Sequence, residues 1–545
     1  MPKLTGGEAV VKSLINQGVD TLFGLPGVQN DYFYNALYDE GGKIRVIHTR
    51  HEQGAAYMAL GYAMALDQVG VYNVVPGPGL LNTTAALCTA YGTNAKVFCL
   101  TGEIPTPVLG RGFGMLHELP DQLGVIRSLT KWAEHVHNPA QAPSLVAEGF
   151  RQLNSGRPRP VGLQIPMDVL AAKGEVDLNV QAASPYKPLL DLDTAEEAAK
   201  RLGEAKFPLI IAGGGTQHAG EEIKQLAEML QAPVAMHSMG KGVLDSRHAL
   251  AVNAPTLYHL LKKADVVLAV GTRMSLPLHR WGLDFSERLI NINIDPEEHA
   301  RMSPQALNIA ADSVDALQGI IELVGKHNRV RPSRADDVAE ARAIAHEKAD
   351  KLEPQASYVR AIRAALPEDG IFVDEVTQIG FASRIFMDVY APRTFISPGY
   401  QGTLGWGFAT SLGVKVAQPD RPVVSVNGDG GFMFTMQELA TAVQHKIGLV
   451  TLVFNNGEYG NVRRMQKENH GGRLIATDLA NPDFVKMAES FGAQGLRAES
   501  PDALIKAIEQ GIKTTDTPTI IDVPVGDMPS PWPILAAPQR VWQDA

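Results

Sequence analysis

Gly428-Asp429-Gly430, followed after 24 residues by Asn455-Asn456, is the pattern in this chain best suited to chemistry. An apolar run at 422–426 leads into the first tripeptide. A helical pattern follows at 436–445, and a second apolar run at 449–454 delivers the asparagines. This spacing places a carboxylate and a carboxamide at the C-terminal ends of two neighbouring parallel strands, the rim where open α/β sheets bind ligands. One carboxylate with neutral oxygen donors suits Mg²⁺, which keeps some water and takes more of its shell from ligand phosphates. The glycines let the backbone approach a diphosphate, which a helix N-terminus then favours electrostatically. Gly-Asp-Gly alone is ordinary turn chemistry; both signals at this separation, each after a strong strand, are specific.

A second acidic position stands far upstream. His51-Glu52-Gln53-Gly54-Ala55-Ala56 follows a strand at 45–48 and opens a helix at 53–66. It is no zinc-binding HExxH, because residue 55 is Ala. Read alone, Glu52 is an acid placed favourably at a helix start.

The elements that position these residues alternate between apolar strands and helical patterns almost throughout, which predicts a parallel α/β fold. Strands are expected at 21–24, 45–48, 71–75, 96–100 and 161–165, then at 209–212, 233–236, 266–270 and 289–294, and later at 371–373. Residues 182–190 read as a linker. Residues 326–354 read as a second linker with a solvated helix. The Pro-rich tail after 525 is expected to wrap a surface. Three α/β blocks of similar size suggest one architecture used three times, in keeping with a 545-residue chain and domains of roughly 150–200 residues.

Apolar content of 45 % and charged content of 20 % fit a soluble globular protein. A net charge of −10 without a Lys/Arg block argues against nucleic acid. Cys88 and Cys99 form no CxxC and read as buried thiols, which fits a reducing cytoplasm. Neither a signal peptide nor a membrane span is expected.

Asp429, Asn456 and Glu52 together resemble the signature of thiamine-diphosphate (ThDP) enzymes. From residue 4 to about 524 the chain is similar to their acetolactate synthase, benzaldehyde lyase and 2-oxo acid decarboxylase branch. The matching runs are TGGEAVVKSLINQGVDTLFGLPG, TRHEQGAAYMALGYA, LTKWAEHV, GKGVLDSRHAL and GYQGTLGWGFATSLGVKVA. The resemblance implies three Rossmann-like parallel-sheet domains: pyrimidine-binding (1–185), middle (186–340) and diphosphate-binding with the tail (355–545). It implies ThDP and Mg²⁺ as cofactors. Glu52 would face N1′ of the aminopyrimidine and drive ylide formation, a role suited to an apolar pocket. Asp429 and Asn456 would bind Mg²⁺ through side chains and Glu458 through its carbonyl. Gly402 would accept from the 4′-amino group, and Leu404 would wedge the cofactor into its bent form. Val376, Thr377 and Gln378 would line the diphosphate pocket with Gly430 and Gly431, and Tyr459 would also touch cofactor. An active site at a dimer interface, in a dimer or tetramer, is implied as well.

Two further positions bear on the reaction. Gln29 stands where benzaldehyde lyase-like enzymes carry a His, and His117 stands where Gln is usual, so the polar pair is swapped. A Gln can orient a carbonyl but cannot act as an acid or base; a His can shuttle protons near neutral pH. Met465 replaces a substrate-selecting Trp of acetolactate synthases, and Val28 a small residue. Gly213-Gly214-Gly215 and Gly271-Thr272-Arg273 are compatible with FAD or with a purely structural role. The expected activity is a lyase or carboligase acting on small 2-oxo acids or 2-hydroxy ketones, acetolactate synthase-like or benzaldehyde lyase-like. The alternatives are a simple 2-oxo acid decarboxylase, whose adjacent His pair is not found here, and a non-catalytic ThDP-binding protein, against which the intact acidic set argues.

Overall fold

A computed structural model describes residues 1–180, 183–282, 287–302 and 304–535. It contains three six-stranded parallel sheets covered by helices, the expected fold class. The chain divides into two compact units. One comprises Met1–Tyr186, Pro398–Ala498 and Ala507–Pro524. The other comprises Lys187–Ser397, Glu499–Lys506 and Val525–Ala545.

In the first unit one sheet runs in the order Arg45–His48, Thr21–Gly24, Gly70–Val74, Val97–Glu103, Val161–Pro166, Trp132–His135, all parallel. The order in which strands are added reverses between Thr21–Gly24 and Gly70–Val74. The loops leaving those two strands therefore open into a crevice at the switch point. A second run of parallel strands in this unit is Val423–Gly428, Val450–Asn455, Thr519–Pro524, Gln494–Arg497. Both runs end with the last two strands exchanged relative to chain order. Helix Glu52–Leu66 is buried on nearly every side and has no polar face, as a central helix should. It crosses helix Trp406–Ala417 almost backbone to backbone. A Cβ on Gly61 would lie 2.0 Å from the Thr410 carbonyl oxygen, and one on Gly413 1.9 Å from that of Met58. Both glycines are thus required by packing.

In the second unit the sheet order is Ala251–Val252, Val234–Met236, Pro208–Ala212, Val266–Val270, Leu289–Asn293, Leu307–Ala310. This is the 3-2-1-4-5-6 order of doubly wound folds. The architecture is therefore not repeated three times without change, because the middle sheet is wound differently from the sheet around Glu52. The strands Ile371–Val373 and Phe395–Ile396 also pair in parallel here. The expected solvated helix forms over Ala335–Ala349, but Val338, Ala341, Ala345 and Ala349 are buried along one side. Arg342 on that helix donates to the carbonyls of Ser246, His248 and Ala251. Small alanines hid this contact stripe from a reading that looked for large apolar residues. In the tail, the Leu535 carbonyl accepts from Trp281 Nε1 at 3.0 Å and Trp532 stacks near Phe381; residues 536–545 lie outside the described residues, as does 182 in the first linker. Cys99 is buried as expected and its thiol is pushed up to about 12 by burial, whereas Cys88 is only half-buried.

Candidate active site

The register pairs Gly428 with Phe454, so Asp429 and Asn455 leave two adjacent strand ends side by side. Asp429 is buried. Its Oδ2 accepts from the Gly457 amide at 2.9 Å and from Asn481 Nδ2 at 2.6 Å. Burial pushes the Asp429 carboxyl above the usual range, and these hydrogen bonds pull it back. Asn481 Nδ2 also donates to Asn455 Oδ1 at 3.0 Å, and Asn455 Nδ2 donates to Asp522 Oδ1 at 3.2 Å. Carboxylates only accept, so each amide in this chain has its orientation fixed.

Asn456 is fixed by the same logic. Its Nδ2 donates to Glu458 Oε1 at 3.2 Å, which turns Oδ1 away as the remaining acceptor. The Glu458 carboxylate is held by Arg463, and its carbonyl accepts from the Gly460 amide at 2.9 Å. Among the described residues no group of three or more His, Cys, Asp or Glu could hold a metal. The donor set of one carboxylate, one carboxamide oxygen and one carbonyl is hard and oxygen-only, which fits Mg²⁺ sharing its shell with a diphosphate. Tyr459 packs against Gly430, where a Cβ would lie 2.7 Å from the ring. Gly430 and Gly431 are buried in the short helix that Asp429 opens, Asp429–Phe432. Gly402 has φ +52° and Gly405 φ +80°, so the turn holding the half-buried Leu404 needs glycine at both ends.

In the second unit Thr377 caps helix Gln378–Phe386, its Oγ1 accepting from the Gly380 amide at 2.8 Å. Val376 precedes it. Gln378 Oε1 is buried and finds no donor among the described residues, an acceptor left over for a ligand.

Glu52 is half-buried at the start of its helix, behind the N-cap His51. Asn82 Nδ2 donates to its Oε2 at 3.0 Å, so its surroundings are not wholly apolar. The loop after Thr21–Gly24 is locked by Asn30, whose Oδ1 accepts from the Gly27 amide and whose Nδ2 donates to the Leu25 carbonyl and Asn73 Oδ1. This lock presents the buried Gln29. Gln29 Nε2 donates to the Leu116 carbonyl at 3.0 Å, which turns Oε1 onto His117 Nδ1 at 3.0 Å. The acceptor Oε1 requires a proton on Nδ1, so the neutral ring of His117 keeps its lone pair on Nε2. The two positions singled out by sequence therefore meet. His117 has φ +67°, an unfavourable left-handed conformation for a residue with a Cβ, and its carbonyl packs on Gly77, where a Cβ would lie 2.4 Å away. Gly77 in turn donates to Gln122 Oε1, and Gln122 Nε2 donates to the Gly102 carbonyl.

Asn481, Asn82, Gln122 and Glu438 belong to this constellation and were missed in the sequence. Asn481 stands before Pro482 and a helix-capping Asp483, which reads as ordinary loop chemistry. In the second unit, Gly213 and Gly271 are used to press two turns together: a Cβ on Gly213 would lie 2.3 Å from the Gly271 carbonyl. Arg273 lies 3.5 Å from Glu298. No helix among the described residues is long and apolar enough to cross a membrane.

Three family models match the chain in order: the thiamine pyrophosphate enzyme N-terminal TPP binding domain at residues 4–125, central domain at 195–320 and C-terminal TPP binding domain at 375–523. The chain is 35 % identical over 525 residues to a Pseudomonas aeruginosa protein named probable 2-ketoarginine decarboxylase, covering 93 % of this chain and 92 % of that one. It is 31 % identical over 555 residues to a probable acetolactate synthase large subunit of Methanocaldococcus jannaschii (95 % and 92 % covered), and 29 % identical over 565 residues to the acetolactate synthase large subunit of Corynebacterium glutamicum (98 % and 89 %). With all three of its domain models in sequence and these full-length relatives, the chain belongs to the thiamine pyrophosphate enzyme family.

Proposed function

We propose that this protein is a ThDP- and Mg²⁺-dependent lyase or carboligase that acts on small 2-oxo acids or 2-hydroxy ketones. The observation that carries the reading is the pairing of Gln29 with His117 in the crevice of the sheet that also bears Glu52. When bound, ThDP supplies a carbon nucleophile and an electron sink that lets a 2-oxo acid lose CO₂. Asp429 and Asn456, with the Glu458 carbonyl, hold Mg²⁺. Gly430 and Gly431 receive the diphosphate, with Tyr459 against the turn. Gly402 and Leu404 seat the aminopyrimidine. Glu52 shares a proton with the N1′ atom of that ring. Gln29 orients the substrate oxygen, and His117 Nε2 takes or returns a proton there. The domains are proposed at 1–185, 186–340 and 355–545. The protein works as a cytoplasmic homo-oligomer, dimer or tetramer, with Glu52 of one copy completing the metal half of another. FAD remains compatible with the middle domain, although the packing of Gly213 on Gly271 accounts for those glycines without it.

Simple decarboxylation is the second reading. The relative named a 2-ketoarginine decarboxylase favours it, and so does an imidazole able to protonate the product carbon. An NMR product screen tests both: protein with ThDP, Mg²⁺, pyruvate, benzaldehyde, benzoin and a guanidino 2-oxo acid, beside Glu52→Gln. Acetolactate or a mixed hydroxy ketone, absent in the variant, supports carboligation. Aldehyde and CO₂ alone make it a decarboxylase. Turnover by Glu52→Gln at the wild-type rate refutes the mechanism.

A further inference from the structure

Glu438 is fully buried at the end of the turn Met436–Glu438 and takes no part in the chemistry above. Its Oε1 accepts from the His51 amide at 2.9 Å. Its Oε2 accepts from the Arg50 amide at 3.0 Å and from Thr441 Oγ1 at 2.6 Å. Arg50 and His51 are the two residues immediately before Glu52, and His51 is the N-cap of its helix. Their N–H groups precede the helix and have no partner within it. The carboxylate also occupies the space a side chain at 54 would need: a Cβ on Gly54 would lie 2.5 Å from Oε1. Burial pushes the Glu438 carboxyl above its ordinary range, while its three hydrogen-bond donors hold it down. A buried carboxylate is costly to keep, and here two of its three hydrogen bonds are directed at the turn before Glu52.

We propose that Glu438 is a positioning residue: by gripping the Arg50 and His51 amides from the Asp429-bearing segment, it sets where the Glu52 carboxylate stands. This rests on the reading of Glu52 given above. A Gln at 438 offers one acceptor and one N–H₂ donor, and the donor would face a backbone N–H. The turn must then shift, and Glu52 with it. Misplacement of a reacting group by about 1 Å costs on the order of 10²-fold in rate.

The test is exchange of the ThDP C2 proton in D₂O, followed by acid quench and NMR, on full-length protein saturated with ThDP and Mg²⁺. ThDP affinity is measured by calorimetry in parallel. Glu438→Gln should slow exchange by about 10²-fold with ThDP affinity nearly unchanged, and Glu438→Asp should restore part of the rate. Should Glu438→Gln not fold, Thr441→Val, which removes one bond but keeps the carboxylate, should show a smaller loss of the same kind. Loss of exchange in Glu52→Gln with wild-type exchange in the folded 438 or 441 variants would overturn the proposal. So would a 438 variant that loses only thermal stability or ThDP affinity. Wild-type exchange in Glu52→Gln would instead overturn the assignment of Glu52, and this proposal with it.

Discussion

Replacing Asn481 by Ala should weaken Mg²⁺ and ThDP binding although Asn481 is not proposed to touch either. The structure shows its Nδ2 donating to Asp429 Oδ2 at 2.6 Å and to Asn455 Oδ1 at 3.0 Å. Truncation removes a hydrogen bond to a charged group, worth about 1.5–3 kcal/mol, and leaves the Asn455 oxygen without that donor. Asp429 keeps the Gly457 amide, so the loop persists but the carboxylate can rotate. Partners that orient a metal ligand typically contribute 10–100-fold to affinity; the expected loss is therefore about 1.4–2.7 kcal/mol. Calorimetric titration of ThDP at several fixed Mg²⁺ concentrations reads it directly. Wild-type and variant affinities within twofold of each other would refute the reasoning. A lowered melting temperature with intact binding would reduce Asn481 to a structural role.

His117→Ala should lower turnover by about 10²-fold, the lower end for a general acid or base, while ThDP affinity holds; unchanged turnover would sink the proton role. If sites form between copies, co-expressed Glu52→Gln and Asp429→Asn chains should regain activity that neither has alone, because mixed dimers rebuild one intact site; no recovery in verified mixed dimers would place both residues in a site within one chain. Lys241 is buried, with Nζ donating to the Met387 carbonyl, and burial lowers it to about 8. Between pH 8 and about 10.4 the unfolded chain binds a proton that the folded chain does not, so stability rises with pH in that window. Relative to Lys241→Met, the wild type should gain up to roughly 3 kcal/mol across it in denaturant titrations; parallel pH profiles would contradict this.

The parallel α/β class was legible because buried parallel strands read as continuous apolar runs, and these were strong at 209–212, 266–270 and 449–454. Short or polar strands such as Trp132–His135 and Gln494–Arg497 escaped, since their pairing is set by neighbours rather than by their own pattern. The packed side of helix Ala335–Ala349 escaped for a similar reason, being made of alanine.

The sequence named the candidates for the first layer of the site: Asp429 and Asn456 by their spacing after two strands, and Glu52, Gln29 and His117 through the family resemblance. Local chemistry suffices to place Asp429 and Asn456 together, because residues that follow adjacent parallel strands leave the sheet at the same rim. Only the tertiary structure decided what holds that layer. Asn481 reaches Asp429 from 52 residues away, His117 meets Gln29 across 88, and Glu438 grips the turn before Glu52 across 387. A hydrogen bond is satisfied by distance and direction in space, and a one-dimensional pattern carries neither for groups so far apart in the chain.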